Sequence, residues 1–141
     1  MRTNLTGPHL QAFLKEQQFM SNGRTPTYRL RFFFDYGCGG SLWSDNEAAY
    51  NKFDVGTLDA EIYDLDGKIS QEAKIKLPES TRQRVLELDK LYSESLNWED
   101  PAGDSMWDKS QWDNFHTRTR ELHKEISNIL GDDFEIIYKQ E

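Results

Sequence analysis

Three histidines, one cysteine and a glycine cluster are the residues of this 141-residue chain whose types invite chemistry. His116 and His123 are seven apart on what reads as one helix. That is about 10 Å along the axis, too far for two rings to share one metal. Asp113 and His116, three apart, could supply two ligands, but a two-metal helical site needs a matching set on a second helix. The other long helical stretch holds Glu87, Asp89 and Glu94 and no histidine. The plainer reading puts these groups on the wet face of an amphipathic helix, and no metal or other cofactor is expected. Cys38 sits in a glycine turn, where a following helix N-terminus could lower its pKa. A nucleophilic cysteine needs a base held beside it, and the local sequence offers none. Gly37, Gly39 and Gly40 before a helix have the outline of a phosphate loop. No Lys follows them with Walker spacing, and Asp45 and Glu47 would put negative charge where the phosphate sits. Asp64 to Ser70 looks like the middle of an EF-hand loop. With Gly67 at the sixth position, the first and twelfth positions fall on Ile62 and Ala73, which cannot ligate calcium through their side chains. No catalytic residue is assigned, and catalysis is the less favoured reading.

The aromatics point elsewhere. Trp43, Trp98 and Trp107 fall in expected loops or at helix ends, each beside carboxylates: Asp45, Glu99 and Asp100, and Asp108. A loop Trp flanked by acids is how a hot spot facing a basic protein would be built. The same residues could instead cap the ends of a core, or stack on a sugar. The charge agrees with a basic partner. Net charge is −8, from 25 acidic and 17 basic residues. Such a surface disfavours nucleic acid and anionic membranes, which want clustered Lys and Arg, and it speeds association with a cationic protein.

These residues need a scaffold. A chain of this length fits one domain and can bury a core without metals or disulfides. Tyr28 to Tyr36 reads as a strand, with Leu30, Phe32 and Phe34 on one face and Arg29, Arg31, Phe33 and Asp35 on the other. Its central Phe run implies an inner strand covered on part of its second face. The glycine turn is expected to lead into a short helix, capped by Ser44 or Asp45 and running to Phe53. Residues 58 to 76 read as a hairpin about Asp66-Gly67. That register sets Leu58, Ala60 and Ile62 opposite Ile75, Ala73 and Gln71, and Asp59 opposite Lys74. Leu77 to Leu96 and Asp108 to Leu130 carry helical periodicity. Their buried stripes are Val85, Leu88, Leu91, Tyr92 and Leu96, and Trp112, Phe115, Thr119, Leu122, Ile126 and Ile129. Phe134 to Tyr138 is a last strand, joining the sheet of the first. Pro8 to Met20 offers a short amphipathic helix, and Met20 a second possible start. The expected architecture is α+β: a small, mostly antiparallel sheet of about four strands with two long helices on one face. Residues 1–27 are peripheral and 28–141 form the domain. One cysteine, no long apolar run and no signal-peptide core make a cytoplasmic location the default.

Two patches carry a resemblance. Phe-Phe-Phe-Asp-Tyr-Gly-Cys-Gly-Gly-Ser-Leu-Trp-Ser-Asp-Asn (Phe32 to Asn46) and Ser-Leu-Asn-Trp-Glu-Asp-Pro (Ser95 to Pro101) resemble a group of small, largely uncharacterised bacterial proteins. There a Tyr-Gly-rich turn with Leu-Trp precedes a helix, and a Leu-Asn-Trp-acidic-Pro segment follows a second one. The resemblance spans Tyr28 to Tyr138. In size, charge and loop Trp and Asp, the chain is also similar to immunity proteins of bacterial toxin systems. That likeness implies a non-catalytic, acidic inhibitor of a toxin domain, often a basic nuclease. The expected contact residues are Asp35, Tyr36, Trp43, Asp45, Asn46, Asn97, Trp98, Glu99 and Asp100. The alternative is an enzyme or small-ligand protein with a cleft beside Gly37 to Gly40. Whether the two Trp-acid turns meet in space decides much between them.

Overall fold

The computed structural model describes residues 25–141. The helix expected over Pro8 to Met20 lies outside them. The described chain runs β1 (Tyr28–Phe32), β2 (Leu42–Ser44), α1 (Glu47–Phe53), β3 (Ile62–Tyr63), β4 (Ile69–Gln71), α2 (Glu79–Glu94), α3 (Lys109–Leu130) and β5 (Phe134–Tyr138). The α+β class holds. The strands divide between two sheets, one ordered β2-β1-β5 and one formed by β3 and β4 alone. The hairpin therefore does not extend the main sheet, as the sequence had implied. Of the pairings, β1–β2 and β3–β4 are antiparallel, while β1–β5 is parallel.

The Phe-rich run makes β1 the central strand. Leu30 and Phe32 are fully buried, and each stabilises the fold by about 2 kcal/mol. Their cross-strand partners Ser44, Leu42, Ile136 and Tyr138 share that face. Above it lie the helices: Phe34 packs on Phe115 and Phe32 on His123. Short α1 closes one end, where Phe53 meets Tyr28 and Phe134. The second face of the sheet is covered locally. Trp43 stacks on Phe33 with ring centroids 4.9 Å apart, and Arg31, its cross-strand neighbour, lies over the Phe33 ring.

Helices α2 and α3 pack through Thr81, Val85 and Leu88 against Leu122 and Ile126. Thr81 Oγ1 donates to Glu125, which also pairs with Arg84; Arg118 pairs with Glu87. Asp108 caps α3 and forms a reciprocal box with Gln111. Gly131 ends it with φ near +81°. Ile129 is 40% exposed, so the buried stripe of α3 stops at Ile126.

Three local expectations change. The glycine turn leads into β2, not into a helix, because Leu42 and Ser44 complete the apolar face beside Phe32 and Leu30. The cap of α1 is Asn46, whose side chain accepts from Ala49 N–H at 2.9 Å. Ser44 instead donates to Asp54 O, and Asp45 pairs with arginines. In the hairpin, Ile62 does face Gln71, and Ile75 N–H donates to Leu58 O. Asp59 does not face Lys74. It turns inward, and Lys74 lies 3.9 Å from Asp54.

Candidate partner-binding surface

The glycine turn is held from beneath. Gly37 and Gly39 adopt φ of +69° and +72°, which suits residues without a Cβ. At Gly40 a Cβ would stand 2.6 Å from both Asp59 Oδ1 and Thr57 Cγ2. That missing atom lets the Asp59 carboxylate reach the chain. Oδ1 accepts from Ser41 N–H at 2.8 Å and Leu42 N–H at 2.9 Å, and Oδ2 accepts from Ser41 Oγ–H at 3.0 Å. Asp59 has no exposed surface, and burial pushes its carboxyl above the usual range, against the pull of those donors. Arg82 donates from Nη1 to Gly39 O at 2.9 Å. Burial also raises Asp89. The Cys38 thiol is raised by burial and then by Asp35 and Asp89, so it is held protonated and is a poor nucleophile.

The second turn begins as α2 ends. Asn97 organises it: its Oδ1 accepts from Glu99 N–H at 3.1 Å and its carbonyl from Asp100 N–H at 3.0 Å. Ser95 O accepts from Ser105 Oγ–H at 2.6 Å and Met106 N–H at 2.9 Å, which folds the loop back onto the helix end. Trp98 is 62% exposed, yet its Nε1–H donates to Ser93 O at 2.9 Å, which fixes the ring.

The two turns meet. Tyr36 stacks on Tyr92 at 4.6 Å and touches Trp98 edge-on at 6.0 Å. Gly37 N–H donates to Ser93 Oγ at 3.2 Å. Burial, and then the bond to Tyr36, push the Tyr92 phenol up to about 12. Asp35, Tyr36, Trp98, Glu99 and Asp100 are all exposed around this junction, with Asn97 half-buried. A shallow hollow beside Trp98 is lined by Glu94, Leu96, Glu99 and Met106, the last 63% exposed.

Trp43, Asp45 and Asn46 lie apart from that junction, with inward-looking bonds. Trp43 Nε1–H donates to Phe33 O at 3.0 Å. Asp45 is paired with Arg29 at 2.9 Å and Arg31 at 3.4 Å. Asn46 caps α1 and donates to Thr27 O. A second shallow hollow over the open sheet face connects the regions, since Asp35, Phe33 and Asp45 all line it. Neither hollow is lined by Cys38 or a histidine. His116 stacks on Trp112, and His123 Nε2 bonds Ile136 O at 2.6 Å. Among the described residues no group of His, Cys, Asp and Glu could hold a metal ion. No described helix is long and apolar enough to cross a membrane.

Residues 28–141 match the family model described as Serratia CdiI immunity protein-like. The chain belongs to that family. The match begins with the first residue of β1 and takes in both turns, Asp59 and every element of the main sheet. No curated protein matches the chain. Within this CdiI immunity protein-like fold, the sequence reading had missed two features. Asp59 is not the cross-strand partner of Lys74 that the hairpin register implies, and its only signal is the Gly40 that admits it. The hairpin, expected within the main sheet, stands outside it with Ile62, Tyr63, Leu65 and Ile69 all exposed.

Proposed function

We propose that this chain is an immunity protein that binds a toxin domain and blocks it without catalysis, using the joined turns as its contact surface. Membership of the CdiI immunity protein-like family supports the toxin partner. The observation that carries the surface is the contact of Tyr36 with Trp98, which merges two acidic turns into one patch. Trp98 enters an apolar pocket on the partner. Asp35, Glu99 and Asp100 meet its Lys or Arg groups, so the partner is basic at this site. Asp45 keeps its charge for Arg29 and Arg31, and with Trp43 and Asn46 it shapes the adjoining sheet face. Binding takes place in the cytoplasm. The alternative of an enzyme with a cleft at the glycine turn is disfavoured by the raised Cys38 thiol, by the stacking of His116 on Trp112 and by the bond of His123 to Ile136 O.

The test is co-expression with the toxin domain encoded beside the gene. A stable complex is expected on purification, with relief of toxicity. Trp98→Ala should raise Kd by about 30-fold or more, the cost of losing a hot-spot Trp, while leaving the melting temperature unchanged. Absence of a complex, or a Trp98→Ala protein that binds as tightly as the native one, overturns the reading.

A further inference from the structure

Ser93 touches both turns. It sits half-buried in the last turn of α2. Its Oγ accepts from Gly37 N–H, and its carbonyl accepts from the Trp98 indole N–H. One residue thus holds the glycine that follows Tyr36 and the ring that Tyr36 touches. Building on the binding function above, we propose that Ser93 is the positioning residue of this surface: its hydroxyl ties the Gly37 turn to α2, so Tyr36 and Trp98 meet the partner already set at their working separation.

The physical case rests on what each contact restrains. Gly37 lies in the left-handed region with open space where a Cβ would stand, so no packed neighbour on that side holds it. Arg82 holds the turn at Gly39 O, and the Ser93 hydroxyl adds the bond at Gly37 itself. The Tyr36–Tyr92 stack fixes the ring separation, but a stack tolerates sliding in its plane. A turn that is not set beforehand must be ordered on binding, and that cost appears as lost affinity. The two bonds to Ser93 can also be separated by mutation. The Trp98 bond is made to a backbone carbonyl and survives any side-chain change. The Gly37 bond is made to Oγ and does not.

The experiment uses the full chain carrying Ser93→Ala or Ser93→Thr, with two readouts. On the free protein, amide exchange at Gly37 should speed up about tenfold in Ser93→Ala and return to the native rate in Ser93→Thr, which keeps the hydroxyl. Against the toxin domain encoded beside the gene, Kd should rise about three- to tenfold in Ser93→Ala, the worth of one neutral hydrogen bond, and recover in Ser93→Thr. The melting temperature should not follow these changes. Unchanged exchange and unchanged Kd in Ser93→Ala, or no recovery in Ser93→Thr, overturns the assignment. If the native chain itself fails to bind, the proposed function falls, and the exchange readout still decides whether the hydroxyl sets the turn.

Discussion

Asp59 shows how one side chain can serve a turn it does not belong to. Its carboxylate is out of contact with water and satisfies two backbone donors and one hydroxyl of Ser41 and Leu42. Removing it leaves those buried N–H groups unpaired. Asp59→Ala should therefore cost about 3 kcal/mol, read as a shift in the urea midpoint. Asp59→Asn keeps an acceptor at Oδ1 and puts a donor opposite the Ser41 hydroxyl, so its cost at pH 7 should be under about 1 kcal/mol. The pH dependence has a definite sign. The folded-state pKa of Asp59 is raised, so the folded chain binds a proton before the unfolded chain does. That contribution to stability is fully present below the unfolded carboxylate pKa and is lost as pH rises through the folded value. The native chain should thus gain stability relative to Asp59→Asn as pH falls from neutrality toward about 4. A difference that stays flat or moves the other way would show that burial does not raise the Asp59 carboxyl.

Among the elements, the β3–β4 hairpin stands out as weakly anchored. Its strands are two and three residues long, it forms a sheet of its own, and its apolar side chains face outward. A lone two-stranded ribbon is marginal in water. Its turn is held by Asp64, whose Oδ1 accepts from Asp66 N–H and Lys68 N–H at 2.9 Å. Strand β1, by contrast, is bonded on both edges and buried on its inner face. Hydrogen exchange should accordingly be at least about a hundredfold faster at the paired amides of residues 62–71 than at those of β1. Equal protection would mean that the hairpin opens only with the whole fold. Its type was readable from Asp66-Gly67, and the Ile62–Gln71 pairing followed from counting outward. Its exposure was not readable, because alternation marks a face without saying whether anything packs on it.

At the scale of the whole molecule, a net charge of −8 acts through the solvent on any basic partner before contact. Exposed charges are screened within about 8 Å at physiological salt. The rate of association with the toxin domain should fall about tenfold or more between low and high salt, while dissociation, governed by the Trp98 contact, changes little. Stopped-flow kinetics across a salt series would read both rates. Salt-independent association would remove the electrostatic part of the proposal, leaving Trp98 to be judged by its own mutation.

Local pattern determines much of this protein. The two-residue alternation of Leu30, Phe32 and Phe34 marked the inner strand and its buried face. Steps of three and four from Phe115 to Ile126 marked the helix that covers it, and Gly131 its end. Those features depend only on neighbours in the chain. The tertiary structure decided the rest, because it turns on which distant segments meet. The parallel pairing of β1 with β5 joins residues 28 and 134, and no local signal specifies it. Asp59 became buried only because Gly40, far along the chain, leaves it room. The Tyr36 end of the glycine turn and the Trp98 turn were legible as separate candidates, while Trp43 and Asp45 stay apart from the place where they join. Their junction through Tyr36, Ser93 and Trp98 exists because β1 and α2 end at the same corner of the core.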